Sequence, residues 1–284
     1  MEFQWYPGHM TKAIRQMRED IKIIDLVIEL IDARIPLASR NPDIDTLGQG
    51  KARIVLLNKR DLSDDEITKQ WISYFEKKGY VAIAIDAREK KSARLVDEAI
   101  ERACKEKRER DAKRGIKNRP IRAMVVGIPN IGKSTFINSY AGKAATKTGN
   151  KPGVTKGKQW IRLRKDLELL DTPGILWPKF EDQIVGLYLA SIGAIRAEVI
   201  QTDEMALEVV KLLRGLYPGR IAEKYGVDED LEEIQVINEI AKARNCVKPG
   251  GDVDFTKAAT LFLDDFKNGR LGKISIERPE REEA

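Results

Sequence analysis

The chain has 284 residues, 42% of them hydrophobic and 34% charged, which suits roughly two domains with buried cores. No apolar run approaches the ~18 residues that a membrane span needs, so a membrane partner is not expected. The formal net charge is +6, but residues 1–180 carry +13 and residues 181–284 carry −7, which points the first part towards an anionic partner such as RNA and argues against a general RNA-binding tail.

Met1-Glu2-Phe3-Gln4-Trp5 has the pattern of neither a signal peptide nor a transit sequence, so a cytoplasmic location is expected. Trp5-Tyr6-Pro7-Gly8-His9-Met10 holds the only histidine of the chain. A helix rich in both charge signs is predicted over 11–24. Leu26-Val27-Ile28-Glu29-Leu30-Ile31 is an apolar run ending at Asp32 and reads as a buried strand. Runs at 53–57 and 81–85 read the same way. The helix predicted over 64–78 lies between them, with Ser63 as its candidate cap and Gly79 as its stop. Strands alternating with helices imply a parallel sheet covered on both faces.

A further helix is predicted over 92–114. It enters a stretch, 102–122, with ten Lys or Arg against three acids, which suits either a solvated helix and linker or a contact with RNA. Cys104 and Cys246 are too few for a disulfide framework and fit structural roles in a reducing compartment. Ala123-Met124-Val125-Val126 is the next strand, followed by a helix from 133 to 141. A loop of Gly, Lys and Thr covers 142–158, and two short strands follow at 159–164 and 167–170. Beyond Pro178 the pattern turns helical. Met205, Val209, Leu212, Leu213 and Leu216 form one apolar stripe. Leu231, Ile234, Ile237 and Ile240 form another. Phe255, Ala258, Ala259, Phe262, Leu263 and Phe266 form a third, with Asp254 as its cap. The expected domains are therefore 1–180 and a helical 181–284.

Gly127-Ile128-Pro129-Asn130-Ile131-Gly132-Lys133-Ser134 sits between a strand and a helix and reads as a phosphate loop. Its glycines let backbone wrap closely around phosphates, and the helix behind it points its positive end at the anion. Asn130, Ile131, Gly132, Lys133, Ser134 and Thr135 are the expected contacts. Lys133 supplies charge for the β- and γ-phosphates, and the Ser134 hydroxyl can bind Mg²⁺.

Asn58-Lys59-Arg60-Asp61 follows a strand and reads as a guanine-recognition element. Asp61 can accept from guanine N1–H and its amine, a donor pair that adenine lacks. Lys59 can lay its stem over the base, and Asn58 can brace the neighbouring loop. Asp86-Ala87, after the third strand, stands where a short loop meets the guanine oxygen. GTP or GDP is thus the expected ligand. Asp171, in Asp171-Thr172-Pro173-Gly174, is placed to hold a magnesium-bound water. The Gly174 amide can sense the γ-phosphate. Thr155 is the candidate for a second magnesium oxygen, with Thr148 as a weaker competitor.

In most GTPases the phosphate loop precedes the guanine reader, and here the order is reversed. A second departure is Ile175, which stands where Ras-like enzymes often carry the Gln that positions attacking water. An isoleucine cannot do that. His9 can orient or deprotonate water near neutral pH, or it can be a surface residue of a turn anchored by Trp5.

With these motifs in hand, the chain resembles the ribosome biogenesis GTPase A family of circularly permuted GTPases. The resemblance rests on the motif order, Trp5-Tyr6-Pro7-Gly8-His9-Met10, Asp32-Ala33-Arg34-Ile35-Pro36, Ser39-Arg40-Asn41-Pro42, the phosphate loop, Asp171-Thr172-Pro173-Gly174-Ile175-Leu176-Trp177-Pro178 and Gly250-Gly251. It covers essentially the whole length. It implies an α/β fold: a circularly permuted Ras-like domain with a mostly parallel sheet, then a smaller all-helical domain. It also implies GTP hydrolysis during late maturation of the large ribosomal subunit, with rRNA and ribosomal proteins as partners and the particle as stimulus. His9 matches the histidine proposed to act in catalysis, and Asn130 matches an Asn that helps to hold potassium. Two other functions compete: a GTP-regulated scaffold with negligible turnover, kept alive by Ile175, and a small-molecule kinase or ATPase, opposed by Asp61.

Overall fold

The computed structural model describes residues 9–116, 119–142, 159–172, 183–195 and 201–279. Its described residues form two compact units, one of 9–172 with 277–279 and the other of 183–276. The expected boundary at 180 lies outside the described residues. Residues 277–279 group with the first unit, not with the helical remainder in which their place in the sequence puts them.

The strands of the first unit are β1 (Leu26–Asp32), β2 (Ala52–Asn58), β3 (Val81–Ala84), β4 (Ile121–Val126), β5 (Gln159–Arg164) and β6 (Leu167–Asp171). They make one sheet in the order β3-β2-β1-β4-β6-β5, parallel throughout except for the antiparallel edge pair β5–β6. Every residue of β1 is buried, as its unbroken apolar run requires of a central strand covered on both faces. Followed from β4 through β5 and β6 and on to β1, β2 and β3, the strands take the arrangement of a Ras-like GTPase. This chain begins instead at β1, so the strand leading into the glycine-rich loop lies mid-chain.

The helices of this unit are α1 (His9–Asp20), α2 (Asp43–Leu47), α3 (Asp65–Lys77), α4 (Ser92–Lys113) and α5 (Lys133–Ala141). One core cluster joins Met17, Ile21, Ile24, Val27 and Ile44 to Met124, Val126 and Leu170. A second gathers Ile31, Val55, Leu57, Ile67, Trp71 and Phe75. Cys104 is buried in α4, and burial pushes its thiol up to about 11, as suits an unreactive core residue. Helix α1 stops at Asp20 and continues only as a 3-10 turn, Ile21–Ile23. The cap of α3 is Asp64, whose carboxylate accepts from the Glu66 and Ile67 amides. Ser63 instead turns its buried hydroxyl towards Arg60 O and Thr68 Oγ1.

The second unit consists, among the described residues, of α6 (Gln183–Ser191), α7 (Thr202–Leu216), α8 (Arg220–Tyr225), α9 (Glu233–Ala243) and α10 (Phe255–Lys267). Asp254 caps α10 through the Lys257 amide, as expected. In α9 the buried residues are Val236, Ile237, Ile240 and Ala241, whereas Ile234 is 56% exposed. The helix begins only at Glu233, so Ile234 lies in its first turn off the packed face. Glu229 holds the amides of Ile221 and Ala222 at 2.9 Å, satisfying backbone donors at the start of α8.

The chain rejoins the first unit at Glu277. Its partly buried carboxylate accepts from the Leu37 amide at 2.6 Å and the Ala38 amide at 3.0 Å. Its own amide donates to Arg34 O, and its carbonyl accepts from the indole of the fully buried Trp71 at 3.1 Å. Burial pushes the Glu277 carboxyl up from an ordinary 4.5 to about 7, against the two amides that draw it down. A raised folded-state value means that the protonated group favours folding. The contribution is complete below the ordinary value and is lost as pH rises through about 7. Between about pH 5 and about pH 8 the thermal midpoint should fall by an amount worth roughly 1–2 kcal/mol, and Glu277→Gln should remove that fall. A Glu277→Gln protein with the wild-type pH profile would assign the effect to other groups.

Candidate functional site

Because β2, β1, β4 and β6 are parallel neighbours, their carboxyl ends bring Asn58, Asp32, Gly127 and Asp171 to one edge of the sheet. Clefts at that edge are where open α/β sheets bind ligands. Two loops far apart in sequence meet there through Asn58. Its Nδ2 donates to Ile131 O at 2.7 Å, and its Oδ1 accepts the Ala87 amide at 2.9 Å. One buried side chain thus ties together the Asn58–Asp61 loop, the Asp86–Ala87 loop and the glycine-rich loop. The Asp86–Ala87 loop, expected beside the guanine oxygen, is held to the Asn58–Asp61 loop by this bridge.

The glycines are required by that closeness. A Cβ on Gly132 would stand 2.6 Å from Asn58 Nδ2, and one on Gly127 would stand 2.6 Å from Leu30 O. Both residues also have positive φ, +99° and +155°, and an alanine at either position would be strained and obstructed. Asn130 shares the left-handed region, at φ +59°.

Lys133 begins α5 and is 7% exposed. Its ammonium donates to Gly127 O and Ile128 O at 3.0 Å each, inside the curve of the loop. Burial lowers it to about 8, and the charge of Asp171 partly offsets that loss. A cation held among carbonyls in a buried turn at a helix N-terminus suits a polyanionic ligand. Ser134 and Thr135 follow in the first turn of α5. Asp171, 1% exposed, ends β6 opposite Val125 of β4. A serine hydroxyl and a buried carboxylate are hard oxygen donors of the kind that Mg²⁺ takes, with phosphate and water completing its shell. Among the described residues no three His, Cys, Asp or Glu side chains gather into a metal cluster of their own.

Asp61 and Asp86 share one partner. Arg88 Nη2 lies 2.6 Å from Asp61 Oδ2 and 2.7 Å from Asp86 Oδ2, and its Nε lies 2.9 Å from Asp86 Oδ1. Asp86 is thereby held below the usual carboxylate range. Arg88 escapes a reading of the sequence; its place two residues beyond a strand-end aspartate is the available signal.

In sequence the Asp32-Ala33-Arg34 segment is only a marker of resemblance, and the structure shows its physical work. Asp32 is fully buried, with Arg34 Nε and Nη2 each at 2.9 Å and Lys59 Nζ at 3.1 Å. Burial pushes the Asp32 carboxyl up, but Arg34 and Lys59 outweigh it and hold it well below the usual range. Lys59 itself has φ +60°, so this ion pair aims a side chain whose backbone is already specialised. Ser39 Oγ accepts the Asp32 amide, and Arg40 pairs with Glu29 and Asp45.

His9 opens α1, and its side chain lies outside the described residues. So do Thr148, Thr155, Gly174, Ile175 and most of the 142–158 loop.

Comparison with known proteins agrees with this geometry. A family model described as "50S ribosome-binding GTPase" matches residues 122–245. That match begins at β4 and leaves the upstream Asn58–Asp61 loop outside it, as a permuted order requires. "Ribosome biogenesis GTPase A" of Bacillus cereus is 48% identical over 99% of this chain and 95% of its own. Its namesake in Thermotoga maritima is 33% identical over 97% and 94%. Among solved structures, GNP-bound YlqF from T. maritima is similar with a TM-score of 0.68 and 29% identity, covering 95% of this chain and 99% of that one. The GDP-bound structure of TM YlqF matches with the same TM-score and 27% identity, over 94% and 100%. The chain belongs to the Ribosome biogenesis GTPase A family of GTP-hydrolysing enzymes.

Proposed function

We propose that this GTPase acts in late maturation of the large ribosomal subunit, and that the subunit precursor stimulates its hydrolysis of GTP. The observation that carries the site is the Asn58 bridge, which joins loops 73 residues apart into one cleft. The description of the matching family model, the names of the relatives and the +13 charge of residues 1–180 support the ribosomal partner. The chain acts in the cytoplasm, and among the described residues no helix is long and apolar enough to cross a membrane.

In this reading residues 1–180 form the GTPase domain. Asp61 exchanges Arg88 for guanine N1–H and its amine, and Lys59 lies along the base while Asp32 holds its ammonium. Asp86 and Ala87 shape the loop beside the guanine. Asn130, Ile131, Gly132 and Thr135 surround the phosphates, and Lys133 leaves its carbonyls for the β- and γ-oxygens. Ser134, Thr155 and Asp171 hold Mg²⁺, which when bound neutralises phosphate charge. Asn130 takes part in a potassium site. The Gly174 amide senses the γ-phosphate, and His9 orients the attacking water in place of a glutamine.

The segment 142–165 carries eight Lys or Arg with no acid before Asp166, and faces RNA in the GTP state. Co-sedimentation with large-subunit precursors is the test. Association should require a GTP analogue and weaken with salt in proportion to the phosphates neutralised. Charge reversal at Lys156 and Lys158 should weaken it at least about tenfold while sparing binding of free GTP. Undiminished association of the doubly reversed protein would place the RNA-facing surface elsewhere.

A further inference from the structure

We propose that the C-terminal segment at Glu277 is a working part of the guanine site, with Glu277 as a positioning residue for Lys59. The proposal rests on the reading of Lys59 and Asp61 as guanine contacts.

The path is continuous and made of short bonds. The Glu277 carboxylate clamps the Leu37 and Ala38 amides, and its backbone holds Arg34 O and the Trp71 indole. The clamped loop runs from Asp32 to Arg40. Within it Ile35 donates to Asp32 O, Ser39 donates to Ile35 O, and Ser39 Oγ accepts the Asp32 amide at 2.9 Å. Ala33 donates to Asn58 O, fastening the loop to the end of β2 just before Lys59. Asp32 then places the Lys59 ammonium at 3.1 Å. Burial of the Glu277 carboxyl, which raises it to about 7, agrees with a group enclosed by the chain it fastens.

A carboxylate 240 residues away in sequence is not needed merely to close this loop. The internal bonds of the loop already do so. What Glu277 adds is a fixed placement of its outer limb, residues 37 and 38, and through Ser39 of the Asp32 amide. Loss of the clamp leaves the Asp32–Lys59 pair intact as chemistry but loosely placed, and a lysine stem that packs along a base is sensitive to placement.

The test is a double-mutant cycle on the full-length protein, read as affinity for fluorescent GDP. Glu277→Ala should lower affinity about threefold to tenfold when Lys59 is present and less than about twofold in a Lys59→Ala background. Glu277→Gln, which keeps an acceptor for the amides, should recover most of the loss. An equal loss in both backgrounds would make Glu277 a purely structural residue and overturn the proposal, as would no loss at all. Should Glu277→Ala not fold, Leu37→Pro, which deletes one clamped amide, takes its place in the same cycle. Selectivity of the Asp61→Asn variant is measured alongside. If Asp61→Asn leaves guanine preference untouched, the site reading has failed; if it alters preference while the cycle shows no coupling, only the clamp has failed.

Discussion

Asp61→Asn lowers affinity for GTP by at least about tenfold and shifts preference towards xanthine nucleotides. The amide presents a donor where the guanine N1–H needs an acceptor, so a buried polar pair is lost and a mismatch replaces it, at a cost of roughly 1–3 kcal/mol or more. The pairing of Asp61 with Arg88 sharpens the expectation. Asp61 is already paired with Arg88 at 2.6 Å, but Arg88 is 67% exposed, and such a surface pair is worth little. Arg88 also keeps Asp86 as a second partner. Guanine can therefore displace it from Asp61 at small cost, and the loss on substitution reports on the base and not on the arginine. Equilibrium titration with GTP, XTP and ATP decides the matter. Unchanged GTP affinity in a folded Asp61→Asn protein would remove Asp61 from the guanine site.

His9→Ala cuts particle-stimulated hydrolysis by at least about tenfold while leaving GTP affinity and particle binding nearly unchanged. Water positioning or general-base help typically contributes about 10²–10⁴-fold, and partial substitution by other groups accounts for the lower bound. The reason lies at Ile175, whose apolar side chain cannot orient water, and in the fact that the chain has one imidazole. The long separation of His9 from Asp171 in sequence is no obstacle. Permutation changes which segments are joined and not the core they share. Single-turnover hydrolysis on the particle is the deciding assay, and a wild-type rate for His9→Ala would leave His9 as a docking residue.

The sheet is legible in the sequence because β1, β2 and β4 are apolar runs long enough to be buried on both faces. The glycine-rich loop is legible because its spacing and its strand-to-helix setting coincide, and the permutation follows from the order of two motifs. Less legible is everything that depends on contacts between distant segments. Asn58 reads as a brace, but its partners Ile131 and Ala87 are fixed only by the register of β2 against β3 on one side and, across β1, of β4 on the other. The Asp32–Lys59 pair needs a residue at the end of each of two adjacent strands, and no local pattern announces it. Glu277 looks like one acid in an acidic tail, since nothing nearby in sequence reveals that it meets the Leu37 and Ala38 amides. Local errors have local causes. Asp64 outcompetes Ser63 as a cap because a carboxylate reaches two amides, and Ile234 falls outside the packed stripe because α9 starts at Glu233.

The central claim is that the particle switches on hydrolysis at this site. The measurement that tests it most directly is GTP turnover by the purified protein with and without large ribosomal subunits, in magnesium and potassium. A rate enhancement of at least about tenfold, saturating with subunit concentration and absent for small subunits, is the predicted result. A turnover rate that is the same with and without large subunits, at concentrations where the protein is fully bound, would contradict it.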